Sequence, residues 1–291
     1  MAIWTTVARV IAAACQRPYE ISGLSPMMGG RVSMAYTVTD GHTRYFVKIQ
    51  DESRGGARAY EWETRSLRAV AAAGVRTPAV IAAGQHGSRA FIVLEFIAAA
   101  PPPSAAAIAQ ALHRIHRTTG PAYGADAPGW AGFEPVDNMP AASWSEFWYE
   151  RRLLPRLARR GAEPPWEPWR ARIDALLPVI RTGLSRHRPA PSLLHGDLQS
   201  PNWMGGPDGS VVFIDPAVWF GDPEVDLAAL SVGPPVAREA KEAYAALDPH
   251  PDGFAWRIAV YRLWYLLLCH PVEIGHLLDE TIECIARDPP G

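Results

Sequence analysis

The chain reads as α+β, with a small antiparallel sheet and one helix upstream and a larger, mostly helical part downstream. Three observations predict this. Period-two alternation is concentrated in the first third, as in Val32, Met34, Tyr36 and Val38. Apolar stripes at helical spacing dominate after residue 104, beginning with Ile108, Leu112 and Ile115. Between them, three alanines run into Pro101-Pro102-Pro103, the sharpest composition shift in the chain. The expected lobes are therefore 1–97 and 104–291, joined by a linker at 98–103.

With 291 residues, 48 % hydrophobic and 20 % charged, the chain can bury a substantial core. A net charge of −2 supplies no global field for nucleic acid or an anionic membrane, and neither is expected as a partner. Cys15, Cys269 and Cys284 show no metal or redox spacing, which suits a reduced, cytoplasmic protein. Met1 to Ala14 lacks a basic leader and carries Arg9. Ile3, Val7, Val10, Ile11 and Ala14 share one helical face, so the segment is expected to be an amphipathic helix.

In order, Ser25 to Gly30 reads as a loop ending in Gly29-Gly30, and residues 32–39 as a strand. Asp40-Gly41 turns the chain into a second strand at Tyr45 to Ile49, with Lys48 inside it. A helix follows from Ala57 to Ala73. Glu63 shares a face with Leu67 and Val70, whereas Glu61 faces Arg65 and Arg68. Glu63 is therefore the carboxylate that can reach Lys48. Further strands are expected at Ala79 to Ala83 and Ala90 to Ile97, and Glu95, Phe96 and Ile97 form a hinge where an adenine ring could meet backbone groups. Taken singly, a glycine pair is an ordinary turn, a strand lysine is usually solvated and a strand end is only a strand end.

Ser104 can cap the next helix. Residues 120–140 read as a loop, and helices are expected at Trp144 to Ala158 and Trp169 to Leu184. His113 and His116 are three apart, but two histidines without further ligands more often pack than bind metal. Ser192-Leu193-Leu194 delivers the central motif, H-G-D-x-x-x-x-N from His195 to Asn202. After twelve intervening residues, Asp215 ends an apolar strand. A loop then leads to a helix from Glu224, with Asp226 in its first turn.

That spacing is the catalytic loop and metal-binding strand end of a protein-kinase-like fold. Phosphoryl transfer needs positioning and charge stabilisation more than covalent participation. Asp197 can take the proton of an attacking hydroxyl. Asn202 and Asp215 offer the oxygen ligands that Mg²⁺ prefers against ATP phosphates. Gly29 and Gly30 allow close backbone approach to phosphate, and Lys48 held by Glu63 neutralises it. His195 and Asp226 read as loop framework. A non-catalytic nucleotide-binding module usually lacks one of these groups, and all are present.

Gly196, in place of arginine, makes the motif resemble the aminoglycoside phosphotransferase and choline kinase group. Further stretches resemble the fructosamine (ketosamine) kinase family: Tyr45-Phe46-Val47-Lys48, Tyr60-Glu61-Trp62-Glu63, Leu112-His113, Arg151-Arg152-Leu153, Asn202-Trp203 and Ile214-Asp215-Pro216-Ala217. The resemblance implies ATP-dependent phosphorylation of a sugar hydroxyl of small-molecule or protein-bound ketosamines. Loss of the amine, that is deglycation, would follow. It implies Asp197 as base, Asn202 and Asp215 as metal ligands, and Lys48 with Glu63 at the phosphates. The alternative is another small-molecule kinase of the same fold, for an aminoglycoside, choline or a sugar. Gln199-Ser200-Pro201 departs from the Trp-Ser-Gly usual in the family, and Met28 and Arg31 flank a glycine pair where three glycines and a cysteine are common. The oligomeric state is left open, a monomer among the options.

Overall fold

The computed structural model describes residues 2–27, 34–98, 100–131, 134–160, 163–198, 202–287 and 289. They form two compact units. The first comprises Met1–Pro103, Gly129–Pro135 and Asn202–Ala217. The second comprises Ser104–Pro128, Val136–Pro201 and Val218–Gly291.

The first unit is a sheet with a helix on each face. It begins with α1 (Ala2–Cys15), then β1 (Gly23–Met27), β2 (Met34–Thr39) and β3 (Arg44–Asp51). Next come α2 (Gly56–Ala72), β4 (Val80–His86) and β5 (Arg89–Glu95). The strands are antiparallel in the order β1-β2-β3-β5-β4. Strand alternation sorts the side chains. Val47 and Ile49 of β3 and Phe91 and Val93 of β5 face Val7 and Ile11 of α1. Phe46, Ile92 and Leu94 take the opposite face, against Tyr60 and Leu67 of α2. Lys48 has the parity of Phe46 and pairs in register with Ile92, so the backbone period alone sends it toward α2. Leu67→Ala would cost about 2–5 kcal/mol, because Leu67 is 1 % exposed and closes that layer.

The expected loop before Gly29-Gly30 is instead largely β1. Its Pro26 is tolerated because β1 is an edge strand, where a missing N–H costs no ladder bond. The strand expected to end at Ala83 runs on, as β4, to His86.

The second unit opens with α3 (Ala105–His116), whose cap Ser104 accepts a hydrogen bond from Ala107 N at 3.2 Å. The expected loop at 120–140 holds two short strands, β6 (Gly129–Ala131) and β7 (Glu134–Val136). Residues 129–135 group with the first unit, where Trp130 lies over Arg58 of α2. The helix expected from Trp144 is split into α4 (Trp144–Trp148), a π-helical turn (Tyr149–Leu153) and α5 (Leu154–Arg160). Pro155 lacks the amide that would bond Arg151, and the Arg151 carbonyl accepts from Arg152 Nη1 instead. A 3₁₀ turn (Pro164–Trp166) leads into α6 (Glu167–Leu184), with Pro168 in the first turn, where no intrahelical donor is lost.

β8 (Ser192–Leu194) carries the chain into the motif. After it, β9 (Trp203–Gly205) and β10 (Val211–Phe213) form a hairpin belonging to the first unit. A Cβ on Gly205 would lie 2.0 Å from the Pro101 carbonyl oxygen, so glycine is what lets the proline linker pass against β9. β11 (Trp219–Gly221) pairs with β8, where a plain loop was expected. α7 (Glu224–Ser231), α8 (Pro235–Tyr244), α9 (Phe254–Leu266) and α10 (Pro271–Arg287) complete the unit. Its core is aromatic: Trp144, Phe147, Trp148, Trp219, Tyr261 and Trp264 pack with ring centroids 4.6–6.0 Å apart. Among the described residues, no helix is long and apolar enough to cross a membrane.

Candidate active site

In the first unit, the structure brings together three of the expected residues. Lys48 Nζ donates to Glu63 Oε1 at 2.7 Å and to Asp215 Oδ1 at 2.5 Å. The parity of β3 aims Lys48 at α2, and the Leu67 face of α2 aims Glu63 back. Lys48 and Glu63 side chains are only 11 % and 15 % exposed, while Asp215 is 44 % exposed. Burial alone would lower the Lys48 pKa. The charges of Asp215 and Glu63 outweigh it and hold the ammonium well above its ordinary range. Burial pushes the Glu63 carboxyl up, against the pull of Lys48. Lys48 is the group we take to be firmly charged, because two carboxylates converge on one ammonium.

Asp215 reaches Lys48 through its hairpin. The register pairs Trp203 with Phe213, and Ile214 N donates to the Asn202 carbonyl at 3.1 Å. Asn202 and Asp215 therefore leave the same end of the β9–β10 ladder. Phe213 N donates to the Arg76 carbonyl at 2.9 Å, which ties the hairpin to the segment following α2. Asp215 has φ +55°, a left-handed conformation that aspartate tolerates better than most residues. The Asn202 amide and Asp215 carboxylate are hard oxygen donors, and Asp215 is half-open to solvent. That donor set fits Mg²⁺, which keeps waters and takes few protein ligands.

Glu95 ends β5. Its carboxylate accepts from Arg76 Nη2 at 3.0 Å and Ala79 N at 3.2 Å, so the side chain is committed to the scaffold. Phe96 and Ile97 follow as half-buried, irregular chain, with Arg44 over the Phe96 ring at 4.9 Å. Gly29 and Gly30 lie outside the described residues, as do Gln199, Ser200 and Pro201.

The second unit holds the loop bearing Asp197. Gly196 turns it with φ +77°, which glycine adopts without strain. His195 is fully buried, and its Nδ1 accepts from Asp197 N at 3.3 Å. Asp226 is also fully buried. It accepts from His195 N at 2.7 Å and Gly196 N at 3.0 Å. Both residues are framework, as their apolar surroundings in the sequence suggest.

Three features carried little signal in the sequence. His116 Nε2 lies 3.2 Å from Asp226 Oδ2 and its Nδ1 lies 2.9 Å from the Tyr244 hydroxyl, so both nitrogens are engaged without metal. Tyr265, 1 % exposed, has its hydroxyl pKa pushed far up by burial and then by the charges of Asp226 and Asp197. Asp222 accepts from Tyr261 at 2.7 Å and lies 2.6 Å from His187 Nε2. Beside it, Glu224 takes a bidentate pair from Arg257 at 2.7 and 2.8 Å. Only a Gly-Asp-Pro-Glu helix start hinted at this group. Trp203 and Trp219 are both buried, and Trp219 stacks on Trp144 at 6.0 Å.

The fructosamine kinase family model matches residues 3–286. A probable ketoamine kinase of Synechocystis sp. is 29 % identical, over 91 % of this chain and 89 % of its own. A crystal structure of a candidate fructosamine-3-kinase from Haemophilus somnus superposes with a TM-score of 0.84, at 24 % identity. It covers 98 % of this chain and 97 % of that one. The kinase-like fold extends to a thermostable aminoglycoside phosphotransferase mutant in complex with ADP and hygromycin B. There the TM-score is 0.62 at 17 % identity, covering 98 % of this chain and 99 % of that one. With the lysine–carboxylate cluster and the H-G-D loop in place, the chain is an ATP-dependent small-molecule kinase and belongs to the fructosamine kinase family.

Proposed function

We propose that the protein phosphorylates a sugar hydroxyl of ketosamines, free or protein-bound, at the expense of ATP. For a fructosamine the acceptor is the 3-hydroxyl. The phosphorylated adduct then breaks down and frees the amine, so the outcome is deglycation. The observation that carries the chemistry is Lys48 bonded to both Glu63 and Asp215, a charge cluster suited to triphosphate. The acceptor class follows from the family match.

In this reading, Asp197 orients the acceptor hydroxyl and accepts its proton as the new bond to the γ-phosphorus forms and the bond to the bridging oxygen breaks, releasing ADP. Lys48 leaves Asp215 for the phosphates while Glu63 keeps the ammonium aimed. Asn202 and Asp215 would hold Mg²⁺, which would supply charge neutralisation on the phosphates. Gly29 and Gly30 cover the phosphates, and the backbone at Glu95, Phe96 and Ile97 takes the adenine. The half-buried thiols of Cys15, Cys269 and Cys284, none of them in a disulfide, support a cytoplasmic setting.

A polycationic aminoglycoside would call for unpaired carboxylates. Of the four α10 carboxylates that could line an acidic cleft, Glu273, Asp279, Glu280 and Glu283, three face arginines: Asp279 pairs with Arg172 at 2.5 Å, Glu280 with Arg262 at 3.1 Å and Glu283 with Arg287 at 3.9 Å. The test is incubation with ATP, Mg²⁺ and a panel of ribulosamines, fructosamines, aminoglycosides and choline. Transfer to a ketosamine is expected. Transfer confined to an aminoglycoside or to choline would overturn the acceptor assignment.

A further inference from the structure

Asp226 is a buried carboxylate at 0 % exposure. Among the described residues, its one ion-pair partner is His116, whose side chain is 2 % exposed. Two of the bonds that Asp226 accepts come from the backbone of the loop bearing Asp197, at His195 and Gly196. The third contact is His116 at 3.2 Å, from the last turn of α3. Behind it stands Tyr244, the last residue of α8, at 2.9 Å. The chain Tyr244–His116–Asp226 thus crosses three helices before it reaches the loop.

The donor pattern follows from what each group can do. A carboxylate only accepts, so His116 Nε2 carries the hydrogen toward Asp226. Burial first, then the charges of Asp248 and Asp226, hold the Tyr244 phenol above its ordinary range, so it remains an O–H. The phenol can then donate to Nδ1 and fix the imidazole tautomer, as an outer partner fixes a ligating histidine. Asp226 Oδ2 also takes His195 N, so the imidazole sets the direction of the oxygen that grips the loop.

We infer that His116, oriented by Tyr244, is a positioning residue for phosphoryl transfer: it aims Asp226 and thereby holds the His195–Gly196 backbone that presents Asp197. This rests on the proposed role of Asp197. His116 touches no reacting atom; it restricts where the base sits. Displacing a base by about 1 Å can cost a hundredfold in rate while leaving binding alone.

The test uses the full chain as His116→Leu, His116→Gln and Tyr244→Phe. The leucine variant should lose about tenfold or more in kcat with the KM for ATP within about twofold, since only presentation of the base is harmed. Glutamine, which restores a donor near the Nε2 position, should recover most of that loss; a purely space-filling role would favour leucine or treat both alike. Hydrogen exchange at the His195 and Gly196 amides should speed up in His116→Leu and, less, in Tyr244→Phe, and this readout needs no acceptor. Unchanged exchange, or a glutamine variant no better than leucine, overturns the inference. Should His116→Leu fail to fold, His116→Gln and Tyr244→Phe decide it by the same two readouts. If wild type phosphorylates no ketosamine while exchange responds as stated, the proposed function fails and the loop anchor stands.

Discussion

Asp215 and Asp226 are the same residue put to opposite uses. Asp215 is nearly half exposed, sits in left-handed backbone and spends one oxygen on an ammonium. Asp226 is fully buried, lies in a regular helix and meets two backbone donors and an imidazole. The first resembles a group held ready, because its carboxylate retains access to solvent and its partner can exchange. The second is committed, because leaving any of its donors unpaired inside the protein would cost about 1–3 kcal/mol. Exposure and backbone strain, more than residue type, separate the carboxylate proposed to hold a metal from the scaffolding one.

That contrast can be broken in four places. Asp215→Ala should reduce phosphoryl transfer by about a thousandfold or more, while urea denaturation shows a stability change of under about 1 kcal/mol. A large loss of stability there would erase the distinction. Asp226→Ala should instead lose about 3 kcal/mol in the same denaturation experiment, since two buried amides and an imidazole lose their acceptor, and transfer should slow with it as the loop bearing Asp197 loses its anchor.

The group around Glu224 sharpens the scaffold side. Burial first, then the Asp222 charge, raise the Glu224 pKa to about 8 despite Arg257. The folded state therefore keeps a proton that the unfolded chain releases near pH ~4.3. This stability contribution is complete below that value and is lost as pH rises through about 8. Thermal melts from pH 6 to 8.5 should show a falling Tm, by a few degrees, that flattens in Glu224→Gln. A Tm rising across that range in wild type contradicts the assignment. The smallest effect belongs to the N-terminal cap of α3. Ser104→Ala should cost about 1 kcal/mol in urea unfolding and leave kcat unchanged.

Much of this was legible because it depends on short-range rules. Period two placed Lys48 on the α2 face, period 3.6 chose Glu63 over Glu61, and the spacing from Asn202 to Asp215 fits a hairpin of two three-residue strands. The edge strand at Pro26 was hidden because its proline and glycine imitate a loop, and only a neighbouring strand makes it β. The π turn at 149–153 was hidden because it answers to Pro155 and to where Arg152 finds acceptors. Asp226 was recognised as framework, but His116 was not tied to it: the two are 110 residues apart, and no local pattern encodes that meeting.

Phosphoryl transfer assisted by Asp197 is the central claim, and single-turnover transfer from ATP to a ketosamine, wild type beside Asp197→Ala, tests it most directly. The variant should bind ATP within about twofold of wild type and transfer at least about a hundredfold more slowly. Wild-type transfer rates in Asp197→Ala would contradict the role of that carboxylate outright.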